Sequence, residues 1–384
     1  FYNSYSLMVL VSLSKVCFMD RAILSLITAF AISYLIYPPA IRAFHRFSLL
    51  DNPGGRKIHT SDTPALGGIP IFIGIIISLL VWLPIGMIAS YKFILVALSF
   101  IFLLGLRDDL TPVPAIQKLI GQIAAASLLF FLCDIRIESF YGVFGLYQMP
   151  ITISYFITVF TIIVITNAYN LIDGIDGLAG SVGLITLLFF GTWFLLNGKT
   201  HFSFIAFAFA GSLVAFLIFN WRPAKIFLGD SGTSVIGLLI AIYTVYFIDL
   251  NAKLPDDATF KFIAEVGAPV GFLILPLADT ARVFIKRTLS GKSFMEPDNN
   301  HIHHVVLSLG FNHSQATIIL ILVKVFFLIL VFSLRQYPDK ILLPIIVGTA
   351  IAFSVLLNMA YKRRKRNNMK TDKEKGQIFI NKSA

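Results

Sequence analysis

The amino-acid sequence predicts an all-α protein that crosses a membrane many times. Of its 384 residues, 57% are hydrophobic and 37 are phenylalanine. Only 13% are charged, whereas about 25% of residues are charged in an average soluble protein. Apolar runs suited to a hydrocarbon core of ~30 Å follow one another along almost the whole chain.

Eleven apolar runs predict eleven transmembrane helices, which makes the protein polytopic. A span needs about 20 residues, so the short run 92–107 leaves a count of ten open if it is re-entrant or merged with a neighbour. The predicted spans are 22–42, 66–88, 92–107, 114–133, 149–166, 178–196, 202–219, 233–249, 264–283, 315–334 and 341–361.

The chain divides into three predicted segments. Residues 1–21 form an N-terminal extension of uncertain status, within which Met19 is an alternative start and 2–18 resemble a weak signal-peptide core without a cleavage pattern after it. Residues 22–361 form the membrane-embedded domain. Residues 362–384 form a basic tail.

Lys and Arg accumulate in the loops after odd-numbered spans and in the tail. Such an excess marks the cytoplasmic side, so these loops and the C-terminus are predicted to be cytoplasmic. The run KRRKR at 362–366 is interpreted as an anchor attracted to anionic headgroups. The net charge of +11 is therefore explained by the membrane and is no sign of nucleic-acid binding, and no nucleic-acid partner is expected.

Unusual polar residues follow four of the odd-numbered spans, on the same predicted side. Taken singly, such a residue is equally well explained as a helix cap or a turn. Four successive loops of this kind favour a functional site, here a cytoplasmic cleft. The residues are Asp108 and Asp109 after the third span, those of NAYNLIDGIDGL (167–178) after the fifth, Asp230 in FLGDSGT after the seventh, and His301, His303 and His304 after the ninth.

The chemistry of these loops indicates a phosphate site with a metal ion. Five carboxylates brought to one face (Asp108, Asp109, Asp173, Asp176 and Asp230) would repel one another unless a cation intervened. Oxygen donors of this kind suit Mg²⁺ together with substrate phosphates, whereas Zn²⁺ is the weaker interpretation of the histidines because no cysteine accompanies them.

Cationic and imidazole groups complete the predicted site. His301 and His304 are three residues apart, so both can project together towards a phosphate oxygen. The first cytoplasmic loop, DNPGGRKIHTSDTPALGGIP, carries Lys57 among glycines, and such a loop can bind an anion. A diphosphate substrate that meets a lipid substrate is the reading these features favour.

The stretch NAYNLIDGIDGL is predicted to end a helix. Residues three apart on a helix are rotated by about 300°, so Asn167 and Asp176 would point in opposite directions on a continuous one. Gly174 and Gly177 allow a break. Asn170 would then face the metal ion, with Asp173 and Asp176 in the same cleft.

Five motifs resemble the polyprenyl-phosphate N-acetylhexosamine-1-phosphate transferases over about residues 20–360. They are DNPGGRKIHTSDTPALGG, GLRDDL, NAYNLIDGIDGLAG, IFLGDSGT and NNHIHHVVLSLG. The HIHH form resembles the branch that starts O-antigen, enterobacterial common antigen, teichoic acid or capsule synthesis with UDP-GlcNAc. One departure is Pro112, which occupies the last position of the family's DDxxD pattern.

The resemblance implies that a sugar 1-phosphate passes from a UDP-N-acetylhexosamine to undecaprenyl phosphate, with release of UMP. It implies a multi-pass protein of the bacterial inner membrane, and the sequence also allows a homodimer. The implied site has Asn170 and Asp230 on Mg²⁺ (or Mn²⁺), the acids Asp108, Asp109, Asp173 and Asp176 as catalytic groups, and Lys57, His301, His303 and His304 on phosphate groups.

The acceptor needs little help from a base. A phosphate monoester has a second pKa of about 6, so it is largely dianionic at neutral pH, and the roles left for Asp108 or Asp109 are to take a residual proton or to orient water on the metal ion. Other substrates stay open, namely UDP-MurNAc-pentapeptide and other UDP-N-acetylhexosamines. Two more distant alternatives are a proton-coupled transporter and a di-aspartate prenyltransferase.

Overall fold

The protein is a bundle of α-helices in a computed structural model that describes residues 2–49, 63–145, 147–289, 291 and 301–382. No strand longer than an isolated bridge occurs among these residues. The helices are α1 (Tyr2–Arg46), α2 (Gly68–Trp82), α3 (Ile85–Leu110), α4 (Ala115–Cys133), α5 (Ile151–Leu171), α6 (Leu178–Leu196), α7 (Thr200–Asn220), α8 (Gly229–Ala252), α9 (Gly267–Phe272), α10 (Ile274–Leu289), α11 (Ile302–Ser308), α12 (His313–Ser333) and α13 (Asp339–Lys382).

The predicted all-α membrane fold is confirmed. Among the described residues, eight helices are long and apolar enough to span a membrane, and α2 is a shorter apolar helix. Every predicted span coincides with at least one helix. Large apolar side chains such as Leu35, Phe156 and Leu322 are mostly exposed on the outside of the bundle, where lipid would cover them.

Three boundaries differ from the sequence-based expectation. The short run 92–107 belongs to α3, which has 26 residues because it begins earlier, at Ile85, and continues through Asp108 and Asp109 to Leu110. The predicted span 264–283 is divided at Leu273 into α9 and α10. α1 continues without a break through residue 21, and α13 continues through residue 362, so neither predicted segment boundary coincides with a helix end. The division into the extension 1–21, the domain and the tail 362–384 remains a prediction, as does the count of eleven spans.

The core lies around α8, most of whose apolar stretch is buried inside the bundle. α8 packs against α3 and α5 and also contacts α2 and α6, which in turn pack against α7. α1 lies further out, against α7 and α2. Aromatic rings from α6, α8 and α9 pack edge to face, with ring centroids 5.8 Å apart between Phe190 and Phe247 and 5.6 Å apart between Phe247 and Phe272. Such pairs are favourable beyond their buried area, and they hold α9 against the core.

Two polar side chains fix the broken helix α9–α10. At its start, the Asp339 carboxylate accepts the N–H groups of Gly267 at 2.5 Å and Val266 at 3.4 Å. At its end, the fully buried Lys324 of α12 donates from Nζ to the carbonyl of Phe272. Unpaired backbone groups are costly inside a membrane. At the start of α9 the N–H groups are paired by Asp339, and at its end a carbonyl is paired by Lys324.

Candidate active site

The ends of α2, α3 and α8 meet in close backbone contact. The segment before α2 pairs with the FLGDSGT loop, since Phe227 N–H donates to Pro64 at 2.8 Å and Gly67 N–H donates to Phe227 at 2.9 Å. A Cβ on Gly105 would lie 2.5 Å from the Asp230 carbonyl oxygen. Glycine therefore allows α3 to touch the start of α8, and this contact sets where Asp230 stands.

Asp109 caps the first turn of α8. Its carboxylate accepts the N–H of Asp230 at 2.6 Å and the N–H of Ser231 at 3.0 Å. These are among the first amides of the helix, which have no partner inside it and carry a partial positive charge. Asp109 is therefore occupied in holding the main chain that carries Asp230.

Asp108 and Asp230 share one cation. The Lys118 Nζ atom of α4 lies 2.5 Å from Asp108 Oδ2 and 2.7 Å from Asp230 Oδ2, and the other oxygen of Asp108 accepts the Val113 N–H at 2.7 Å. The lysine separates two carboxylates that would otherwise repel. The sequence motifs did not place Lys118 in the site.

Asn170 faces Asp230 from the last turn of α5. Its side-chain amide donates to Asp230 Oδ1 at 3.1 Å and to Thr233 Oγ1 at 2.9 Å. Asn167, one turn earlier, pairs instead with Gln122 of α4 at 2.8 Å. The two residues predicted to bind metal are thus neighbours.

The predicted break in NAYNLIDGIDGL is confirmed. α5 ends at Leu171 and α6 begins at Leu178, after Gly177 with φ of 78°. The Gly177 N–H donates to Asn220 Oδ1 at 2.7 Å. The side chain of Asn220 also donates to the Ile226 carbonyl at 2.8 Å, so one buried asparagine ties this turn to the loop before α8.

The two acids of the turn have different surroundings. Burial, followed by the negative charges of Asp230, Asp109 and Asp176, raises the pKa of Asp173 to about 7. Asp176 is buried, and its Oδ1 atom has no hydrogen-bond partner in the described part of the chain. Its main chain is held by Thr317 of α12, whose hydroxyl donates to the Asp176 carbonyl at 2.8 Å.

The histidines lie against this turn. A Cβ on Gly174 would be 2.0 Å from His303 Nε2, so glycine is what allows the imidazole to approach. The His303 ring centroid is 5.6 Å from that of His301 and 4.4 Å from that of His304. Burial, with the neighbouring histidines, lowers the pKa of His303 well below its usual value, so the neutral ring predominates near pH 7.

His301 has a partner that the sequence did not reveal. Asp279 of α10 is 2% exposed, its Oδ2 atom is 2.9 Å from His301 Nδ1, and its Oδ1 accepts the Ile302 N–H at 2.6 Å. A single acid inside an apolar segment is the signal that could have identified it, because such residues are rare and often functional.

The structure thus brings together all but one of the predicted site residues. Asp108, Asp109, Asn170 and Asp230 are joined by hydrogen bonds or by Lys118. Asp173 and Asp176 lie in the turn that His303 contacts. Lys57 falls outside the described residues. The roles assigned to these side chains remain predictions.

An apolar groove adjoins the histidines. It has a volume of about 810 Å³ and runs between α10, α11 and α13, with Leu277, Ile285 and Val355 among its walls. Its polar end is formed by His304, Arg282, Lys286 and Lys362. An apolar channel that ends in cationic groups matches a lipid with an anionic head.

Asp230 and Asn170 fit a magnesium ion by the nature of their donors. Mg²⁺ takes one or two carboxylates together with waters and substrate phosphates. Asp230 supplies a carboxylate, and Asn170, whose amide nitrogen now faces Asp230, would supply an amide oxygen after its side chain turns over. Among the described side chains, no three His, Cys, Asp or Glu residues are grouped as a ready metal site.

Comparison with known proteins finds related transferases. Residues 91–248 match the profile described as glycosyl transferase family 4. The chain is 32% identical over 317 residues to "Decaprenyl-phosphate N-acetylglucosaminephosphotransferase" of Mycobacterium tuberculosis, covering 77% of this chain and 78% of the relative.

Two further relatives have similar names. "Probable undecaprenyl-phosphate N-acetylglucosaminyl 1-phosphate transferase" of Bacillus subtilis is 29% identical over 326 residues, covering 83% of this chain and 87% of the relative. "Undecaprenyl-phosphate alpha-N-acetylglucosaminyl 1-phosphate transferase" of Escherichia coli O157:H7 is 25% identical, covering 88% and 91%. The chain belongs to glycosyl transferase family 4, within the polyprenyl-phosphate N-acetylglucosaminyl-1-phosphate transferases that its motifs resemble.

Proposed function

We propose that the protein transfers N-acetylglucosamine 1-phosphate from UDP-N-acetylglucosamine to undecaprenyl phosphate. An oxygen of the lipid phosphate attacks the phosphorus that carries the sugar, the bond to the bridging oxygen breaks, and UMP leaves. The product is a lipid-linked diphosphosugar, which would start a cell-envelope polysaccharide. The names of the relatives support both the sugar and the acceptor.

The convergence of side chains on Asp230 is the observation that carries this proposal. Asn170, Lys118 and the main-chain cap from Asp109 all meet there. Transfer of a phosphoryl group depends mainly on alignment and on neutralising charge. Mg²⁺ held by Asp230 and Asn170 would supply that neutralisation and bind the diphosphate oxygens.

The remaining roles follow from the contacts. Asp109 uses both oxygens on α8, so we assign it to holding Asp230 in place. Asp108 lies one residue away on the cleft side, against Lys118, and is the better placed of the pair to receive a residual proton or to orient water. Asp173 and Asp176 form the wall of the cleft, and His301 and His303 contact phosphate oxygens. The same role for Lys57 rests on its sequence motif alone.

The groove supplies a place for the acceptor. Its apolar walls on α10 and α13 would hold the isoprenoid chain, and its cationic end would hold the lipid phosphate beside His304. Because His304 and His303 are adjacent rings, a phosphate at His304 would lie next to the turn that carries Asp173.

The site is proposed to face the cytoplasm, where UDP-sugars are made. The basic tail supports this orientation, because Arg364, just inside it, donates to the Leu309 carbonyl at the end of α11. The tail therefore leaves the bundle at the same end as the histidines, and positive residues favour the cytoplasmic side.

The test is UMP release by the purified protein in lipid nanodiscs. We expect release from UDP-N-acetylglucosamine that requires both undecaprenyl phosphate and Mg²⁺. Asp230→Asn should abolish it, while Asp257→Asn, an exposed acid in the loop after α8, serves as the matched control and should not. Release from UDP-MurNAc-pentapeptide or another UDP-sugar alone would replace the proposed donor, and no release from any UDP-sugar by folded protein would refute the proposed reaction.

A further inference from the structure

Asp279 stands apart from the motifs, yet it touches the histidine motif directly. It lies on α10, about one turn before Arg282 and two turns before Lys286, which both line the groove, and is 2% exposed. One of its oxygens meets His301 Nδ1 at 2.9 Å and the other accepts the Ile302 N–H at 2.6 Å. A buried carboxylate is costly unless its oxygens are paired, and both are paired here with the same short segment.

The two contacts have separate effects. The hydrogen bond to Ile302 caps the start of α11, in the way that Asp109 caps α8. The bond to His301 requires a proton on Nδ1, since a carboxylate only accepts. The ring is therefore held with its Nε2 atom pointing away from Asp279, and a second proton on Nε2 would make it a cationic donor.

Resting on the proposed function, we infer that Asp279 is a positioning residue that fixes the tautomer and orientation of His301 for a phosphate oxygen of the substrates. The acid acts through the histidine and does not itself touch substrate. His303 differs in its surroundings, because its ring packs against Gly174. The Asp279 contact gives His301 a defined proton on Nδ1.

The inference predicts a specific pattern in a double-mutant cycle. Asp279→Asn keeps an oxygen for the Ile302 N–H but offers an N–H to Nδ1, which reverses the tautomer of His301. We expect Asp279→Asn and His301→Gln each to lower kcat about 100-fold, in the range typical for loss of a positioned proton donor. The double variant should be no slower than the slower single variant, because both changes remove one shared contribution.

Asp339 provides the matched control. Its carboxylate is buried and caps α9 through Gly267 and Val266, but in the described part of the chain it pairs with no histidine. Asp339→Asn should therefore lower the melting temperature and leave kcat near that of the parent. The inference would be overturned if the losses in kcat of the two single variants multiplied in the Asp279 and His301 double variant. It would also be overturned if Asp279→Asn and Asp339→Asn lost kcat equally, and Asp279 would then be a helix cap alone.

A second measurement keeps the inference separate from the proposed reaction. Nitrogen NMR of protein with labelled histidine, with the His301 signal identified by its loss in His301→Gln, reports which ring nitrogen carries the proton. We expect a protonated Nδ1 in the parent and a changed signal in Asp279→Asn. This measurement does not depend on turnover. If the parent releases no UMP, the proposed reaction is refuted, but the spectrum still shows whether Asp279 fixes the tautomer of His301.

Discussion

The carboxylate of Asp109 accepts a hydrogen bond from the backbone N–H of Asp230 at 2.6 Å. One acid thus fixes the main chain on which the central acid of the site stands. Its second bond, to Ser231, makes the contact bidentate. Position, more than proton transfer, is what this geometry indicates for Asp109.

Replacing Asp109 with asparagine should therefore act on stability as well as on rate. Asn offers one acceptor oxygen for two N–H groups and removes a charge from the start of α8. Hydrogen bonds to charged groups contribute about 1.5–3 kcal/mol, so we expect a loss of this order, seen as a melting temperature lower by several degrees. Turnover should fall by a similar factor at every pH from 6 to 9.

Asp108→Asn is the comparison for Asp109→Asn. Its bonds reach Val113 and Lys118, so its effect on melting should be the smaller of the two. If Asp109→Asn melted like the parent and lost turnover only at one end of the pH range, the capping role would be wrong and a proton-transfer role would stand. Near-normal turnover of Asp109→Asn throughout that range would exclude a role as base.

Lys118→Gln should strengthen binding of divalent metal. Lys118 occupies Oδ2 of both Asp108 and Asp230, so a metal ion must compete with its charge. Removing one positive charge a few ångströms away should lower the dissociation constant for Mn²⁺ on the order of tenfold, measured by electron paramagnetic resonance without substrate. Lys253→Gln, which pairs with Asp249 at the other end of α8, should leave it unchanged, and weaker binding in Lys118→Gln would contradict the placement.

Asp173→Asn should stabilise the protein more at alkaline than at acidic pH. The pKa of Asp173 is raised to about 7 by burial and nearby acids, so the folded protein binds this proton more tightly than the unfolded chain does. Stability from this group is fully present below its unfolded pKa of about 3.9 and is lost progressively as the pH rises from there through 7. Without metal, the variant should melt a few degrees above the parent at pH 8, with roughly a third of that gain at pH 5. An equal gain at both pH values would show that charge at Asp173 is not the cause.

Gly174→Ala should disable the site while the fold persists. The added Cβ would lie 2.0 Å from His303 Nε2, so the imidazole must move from the turn. We expect turnover to fall at least tenfold, on the order seen when positioned catalytic groups shift, with little change in melting. Gly348→Ala, where an added Cβ meets nothing within 4 Å, is the control and should match the parent. Parental turnover in Gly174→Ala would mean that His303 needs no fixed place.

Ala281→Trp tests the groove as the seat of the acceptor. Ala281 lines the groove, and an indole there would fill part of it. The KM for undecaprenyl phosphate should rise about tenfold, which corresponds to roughly 1.4 kcal/mol, while the KM for UDP-N-acetylglucosamine stays constant. Leu322→Trp, on the outer face of α12, should change neither value. Unchanged KM values in both variants would place the acceptor elsewhere.

The sequence could predict the acids of the site because they stand at helix ends in loops of one side. It could also predict the turn after Leu171, since Gly177 needs the left-handed backbone that it adopts, with φ of 78°. What local pattern could not show is pairing through space. Lys118 is 112 residues from Asp230, and Asp279 is 22 residues from His301. Although Asp279 stands out in its apolar segment, neither partner can be identified until the helices pack.

Lys324 has a consequence for how the protein enters the membrane. A lysine near the centre of a span costs about 2.5–3.5 kcal/mol during insertion, and α12 has the most apolar 18-residue window of the eight spanning helices. The leucine, isoleucine, valine and phenylalanine around Lys324 can thus offset that cost while the helix is still alone. Phe272, whose carbonyl accepts from Lys324, precedes α12 in the sequence and is therefore synthesised before it. Packing of α12 against α9 would then give the lysine a hydrogen-bond partner that it lacks during insertion. The Lys324 contact would therefore form only once these two helices have assembled correctly.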